Sequence, residues 1–179
     1  FTSDDITLSS GSKGTFSGSD GDSSYSLIVT PDANSSGTIT VDVPAAAALD
    51  AAGNSNAAAT QATQAFDTES PTVVISDDTS GTAIGDVTFT FTFSEAVYGF
   101  TSDDITLSSG SKGTFSGTDG DSSYSLIVTP DADSSGTITV DVPAAAALDA
   151  AGNSTSAQQA TQAFDTASPS VVITDDTSG

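Results

Sequence analysis

Apolar and hydroxyl-bearing residues alternate along this chain in short runs. In DVTFTFTFS, Asp86 to Ser94, the residues Val87, Phe89, Phe91 and Phe93 alternate with Asp86, Thr88, Thr90 and Thr92, so one face of a strand is apolar and the other polar. Tyr124, Leu126 and Val128 alternate with Ser123, Ser125 and Thr129, and Ile138, Val140 and Val142 with Thr137, Thr139 and Asp141. Runs at 72–76, 104–107, 113–116 and 160–164 complete seven expected strands within 70–168, separated by Gly, Asp, Ser and Pro clusters. Such short strands at close spacing predict an all-β fold in which two facing sheets pack one core. The exception is PAAAALDAAGN, Pro143 to Asn153, whose alanines favour helix but are bounded by Pro143 and Gly152 within about two turns. It is expected to be a loop with at most one helical turn.

The pattern repeats. Phe1 to Ser55 and Phe100 to Ser154 align without a gap at an offset of 99 residues and differ only at Ser19 against Thr118 and Asn34 against Asp133. One residue of length then separates the copies before Gln-Ala-Phe-Asp-Thr returns at Gln64 to Thr68 and Gln162 to Thr166. The expected organisation is a partial repeat at 1–69 without its first strands, a complete repeat at 70–168, and at 169–179 the first strand of a further repeat, as in a segment of a longer array.

Composition narrows the chemistry. Two Lys, 24 acidic residues and no His give a formal net charge of -22, which repels nucleic acid and anionic membranes. No 18-residue apolar run exists for membrane insertion. Without Cys, Met or His there is no disulfide framework, soft-metal site or His-activated nucleophile, and Lys13 and Lys112 lie in Gly-Ser-rich surroundings unsuited to a lysine base. The chain is expected not to be an enzyme.

The string Phe93-Ser94-Glu95-Ala96-Val97-Tyr98-Gly99-Phe100, then Ser102-Asp103-Asp104-Ile105-Thr106, Asp149-Ala150-Ala151-Gly152-Asn153 and Phe164-Asp165-Thr166 with Pro169, resembles the tandem bacterial Ig-like domains of giant surface adhesins. The resemblance covers the whole unit. It implies an immunoglobulin-like β-sandwich, an extracellular or cell-surface location, and a role as extender between an anchoring end and a ligand-binding end, often with calcium at domain junctions. It implies no particular adhesion target, and the adhesion ligand is expected outside this segment.

Threading the strands alternately up and down places the acids at the two ends of the sandwich. One end collects Asp67, Glu95, Asp103, Asp104, Asp119, Asp121, Asp149 and Asn153, the other Asp77, Asp78, Asp86, Asp131, Asp133 and Asp165; in the first copy Asp4, Asp5, Asp50 and Asn54 match Asp103, Asp104, Asp149 and Asn153. A merely solvated acidic surface would scatter carboxylates along exposed strand positions, which here carry Thr and Ser. Crowded carboxylates repel unless a hard cation neutralises them, and Ca2+ takes about six to eight oxygen ligands. Calcium is therefore the expected ion, held at the 66–71 junction by Asp67 with Glu95, or with Asp103 and Asp104, and by Asp149 or Asn153. Asp131-x-Asp133-x-Ser135-Gly136, with Asp32-x-Asn34-x-Ser36-Gly37 in the first copy, matches the first half of an EF-hand-type loop, but Val142 and Val43 stand where a ligating Glu belongs. A plain turn explains the same residues.

Two functions fit these features. One is a spacer whose neighbours are further repeats of the same chain; the other is a self-assembling fibre or surface layer, in which lateral copies also touch. A sugar-binding module using Tyr98 and Tyr124 is disfavoured, because Tyr124 sits at an inward strand position and the chain has no Trp.

Overall fold

In a computed structural model, residues 1–176 are described, and the chain divides into two compact units, Phe1–Glu69 and Ser70–Gly179. The first unit contains β1 (Thr7–Leu8), β2 (Ser12–Ser17), β3 (Ser26–Thr30), β4 (Ser36–Asp42) and β5 (Ala62–Asp67). The second contains β6 (Val73–Asp77), β7 (Val87–Phe93), β8 (Thr106–Leu107), β9 (Ser111–Ser116), β10 (Ser123–Thr129), β11 (Ser135–Val142) and β12 (Gln158–Asp165).

In the second unit the period-two alternation becomes two antiparallel sheets, ordered β6-β7-β10-β9 and β12-β11-β8. Val87, Phe89, Phe91, Leu126 and Val128 point inward from one sheet and Ile138, Val140 and Val142 from the other, all buried in a single core. Phe100 sits among the rings of Phe91, Phe93, Phe115 and Tyr124 at centroid distances of 5.0 to 5.9 Å, mostly edge to face, which suits the ring quadrupoles. The outer edge of β12 is covered by Ala83, whose N–H donates to the Ala163 carbonyl at 2.9 Å while the Asp165 N–H donates to the Ala83 carbonyl at 2.8 Å.

Two local expectations needed revision or resolution. The run at 104–107 is not all strand: Ser102–Asp104 forms a 3-10 turn, because the Asp104 carboxylate accepts from both the N–H and the hydroxyl of Thr101 at 2.8 Å, a reciprocal cap. The alanine run forms no helix. Ala145 adopts φ of 62°, and the Ala145 N–H donates to the Thr155 carbonyl, so the loop folds back on itself with Ala146 and Ala147 in the core.

Gly117 shows how tightly the sheet is packed at one turn. Its φ is 135°, and a Cβ there would collide with the Tyr124 ring. Gly117→Ala is expected to destabilise the second unit by about 2 kcal/mol or more, read as a lower urea midpoint at unchanged slope.

The first unit has the sheets β1-β4-β5 and β2-β3, with no described counterpart of β6 or β7. Its inward residues are correspondingly less covered: Ile6 and Ile39 are buried, whereas Phe16, Tyr25, Leu27, Val29 and Phe66 are only half-buried. At the other end of the chain, Val171, Val172 and Ile173 match the β6 sequence but lie outside any strand and are highly exposed. β6 takes its ladder bonds from β7 alone, and no such partner follows among the described residues. The rest of that expected strand region, 177–179, lies outside the described residues.

Candidate metal centre

At one end of the second unit, backbone bonds lace three loops together. The N–H of Tyr98 donates to the Leu148 carbonyl at 2.7 Å and that of Leu148 to Tyr98 at 3.0 Å, tying the segment after β7 to the long alanine loop. The Val97 N–H donates to the Asp121 carbonyl at 3.1 Å, and the Gly99 N–H donates to Asp119 Oδ1 at 2.7 Å, adding the turn between β9 and β10. This lacing brings carboxylate oxygens of Glu95 and Asp149 within 4.8 Å of each other.

Asp149 is 4% exposed. Its Oδ1 accepts from the N–H groups of Ala151 and Asn153, both at 2.8 Å, and its Oδ2 from the Asn153 side-chain amide at 2.7 Å. Burial pushes the Asp149 carboxyl up, but the bonds from Asn153, Ala151 and Gly152 outweigh it and hold the group below the ordinary 3.8. Asp149 is thus a buried anion beside a second, half-buried carboxylate, in a chain with no Arg and only two Lys. Of those, the Lys112 ammonium donates to the Ser102 carbonyl at 2.5 Å. Buried anions are stable when paired or metal-bound. An all-oxygen donor set of two carboxylates fits a hard cation such as Ca2+.

The other candidate ligands have local bonding roles of their own. Asp103 and Asp104 do not join the Glu95–Asp149 pair: they form the 3-10 turn, with the Asp104 carboxylate on Thr101. Asp4 and Asp5 form the same turn in the first unit, the Asp5 carboxylate accepting from the Thr2 N–H at 2.8 Å. Asp50 and Asn54 reproduce the loop clamp, with Asn54 donating from its backbone at 2.8 Å and its amide at 2.9 Å, so Asp50 is also held low by Asn54. Unlike Asp149, Asp50 is exposed.

Asp77 Oδ1 accepts from the Thr79 N–H at 2.9 Å, Asp78 Oδ1 from the Thr88 N–H at 2.9 Å, and Asp86 Oδ1 from the Thr129 hydroxyl at 2.8 Å. Asp131 accepts from the Ser109 hydroxyl at 2.6 Å, which with the Gly110 N–H lowers its pKa. Asp133 stands exposed at φ of 49°, and Asn34 at 50° in the first copy, a left-handed turn position that Asp and Asn tolerate. Asp165 Oδ1 accepts from the Ala167 N–H and Asp67 Oδ1 from the Glu69 N–H, each at 3.0 Å.

The sequence pointed to a turn at Asp131 and Asp133 but not to the turn-forming roles of Asp77, Asp149 and Asp165. The spacing Asp-x-Thr at 77–79, Asp-x-x-x-Asn at 149–153 and Asp-x-Ala at 165–167 carried the signal, since an aspartate bonding the backbone two to four residues on is an ordinary loop device.

The lowered groups make an acid-unfolding prediction. Asp78, Asp131 and Asp149 have folded pKa values below the unfolded one, so the stability they contribute is complete above it and is lost as pH falls through the folded values. Urea midpoints are expected to drop steeply below about pH 4, and Asp149→Asn is expected to flatten that drop.

Two successive stretches, residues 1–66 and 67–174, match the family model described as a bacterial Ig-like domain. No curated protein and no solved structure matches the chain. The family match therefore carries the assignment, together with a fold of antiparallel sheets around a single core in the complete unit. The chain is a tandem member of the bacterial Ig-like domain family, a family of structural domains.

Proposed function

We propose that these repeats are spacers of an extracellular bacterial surface adhesin, joined end to end and stiffened by Ca2+ bound at the ends of the units. The carrying observation is the Glu95–Asp149 pair: a buried, ionised carboxylate and a half-buried one within 4.8 Å. A divalent cation would neutralise the pair and hold the segment after β7 against the alanine loop. The sequence supplies Asp67 as the linker's own candidate oxygen ligand. An ion that also engaged the linker would remove freedom from two repeats at once, in a protein without disulfides.

Repeat number would then set reach, each unit adding on the order of 40 Å from its strands and end loops. The second reading is a laterally assembling fibre, in which neighbouring copies also touch side to side. Imaging of arrays of complete repeats decides between them. Single rods that stay straight in millimolar Ca2+ and bend freely in chelator support the stiffened spacer. Laterally ordered filaments support assembly, and rods equally straight in both buffers overturn the calcium element.

A further inference from the structure

Val73 opens β6 and pairs with Phe93, which closes β7. Just beyond Phe93, the Tyr98–Leu148 bonds tie the chain to the alanine loop, and that loop leads into β12. Asp165, the last residue of β12, pairs with Ser135 at the start of β11. The chain therefore enters the second unit at the Glu95–Asp149 end and leaves it at the opposite end. Tension arriving through Ser70 and Thr166 draws β6 toward one end and β12 toward the other.

β6 and β12 belong to different sheets, and the segment that follows β6 crosses from the first sheet to the second. There Ala83, 3% exposed, is bonded to the rim of β12 through both of its backbone groups. Its N–H donates to the Ala163 carbonyl at 2.9 Å, and its carbonyl accepts from the Asp165 N–H at 2.8 Å. The Gln162 amide adds a bond to the Gly81 carbonyl. At the same end, the Thr166 N–H donates to the Ser134 carbonyl at 2.8 Å and the Thr166 hydroxyl to the Asp131 carbonyl at 2.6 Å, which fixes the exit of β12 on its other side.

Direction decides what these bonds resist. Ala83 and Phe164 pair in parallel, so the pull reaches Ala83 from its N-terminal side and Phe164 from its C-terminal side. The two segments are made to slide along each other, and the bonds run between them, across the line of pull. They share the load and fail together. Peeling the same pair apart from one end would load them one at a time. β6 is sheared in the same sense along β7, from Val73↔Phe93 to Asp77↔Phe89.

We infer that the bridge from Ala83 to β12 is the load-bearing element of the complete repeat, so that the unit resists tension along the chain far better than a pull that peels the bridge open. The inference rests on the end-to-end reading above only for the direction of the load. The bridge needs no ion, and it gives a chain without cysteine a means of carrying force.

The test is single-molecule pulling on the full chain in chelator, with handles attached at introduced cysteines. Ser70→Cys with Ser168→Cys pulls the second unit through its two ends and shears the bridge. Gly85→Cys with Ser168→Cys pulls both paired segments from the same end and peels it; a Cβ at Gly85 meets nothing within 4 Å. Forced unfolding reads the unfolding barrier, and the shearing geometry is expected to need at least about twice the force of the peeling one. Gln162→Met removes the amide and Ile138→Val one buried methyl group, and both are expected to lower the urea midpoint by similar amounts. Only Gln162→Met is expected to lower the shearing force, by about a third or more. Ala83→Pro, which removes the N–H on Ala163, is expected to lower it further, and Gln162→Met decides alone if the proline variant does not fold. Equal forces in the two geometries, or equal losses of shearing force in Gln162→Met and Ile138→Val, would overturn the proposal. The rod imaging in Ca2+ and chelator tests the calcium element separately.

Discussion

Leu126→Ala is expected to cost about 2 to 5 kcal/mol and Leu27→Ala, the same substitution one repeat earlier, less than about half as much. Leu126 has no exposed surface, sits opposite Phe89 in the sheet and belongs to the continuous core. Truncating it removes buried methyl groups and leaves a cavity whose walls, set by flanking strands on both sides, cannot collapse. Leu27 is half-buried and lies on a strand paired on one side only, so it has less transfer energy to lose and room to relax. Hydrogen exchange resolved by unit, at increasing urea, measures the two costs separately. Equal losses would mean that the first unit is as well packed as the second, against its half-buried Tyr25, Leu27 and Val29.

Calcium is expected to raise the stability of the second unit by about 2.7 kcal/mol once the free ion exceeds its dissociation constant a hundredfold, a shift of several degrees in Tm. Glu95→Gln should abolish most of this gain while changing the chelator-buffer Tm little, because it removes a charge and keeps the shape. Asp149→Asn should do both kinds of harm. It loses the charge beside Glu95, and it replaces with a donor amide one of the oxygens that accept from Ala151 and Asn153. Thermal unfolding of wild type and both variants in Ca2+ and in chelator gives the answer. An unchanged wild-type Tm would leave Asp149 as a loop clamp only, the role its hydrogen bonds already describe.

What was legible in the sequence was the local code. The alternation of Val87, Phe89, Phe91 and Phe93 with threonine dictates a strand with one buried face, because successive side chains point to opposite sides of the backbone. The duplication of Phe1 to Ser55 dictates two copies of one unit, and the lack of Arg and His limits how any buried carboxylate can be neutralised. Such properties depend on spacing and residue type, so a linear reading reaches them.

Other features were decided only when distant segments met. Asp104 opens a 3-10 turn instead of a strand because the Thr101 N–H and hydroxyl lie within its reach. Leu27 and Leu126 sit in identical heptapeptides and differ in burial because only one has β7 beside it. Asp50 and Asp149 likewise share a sequence and a hydrogen-bond clamp. Burial and the nearby Glu95 carboxylate set Asp149 apart, and both depend on the fold around the loop.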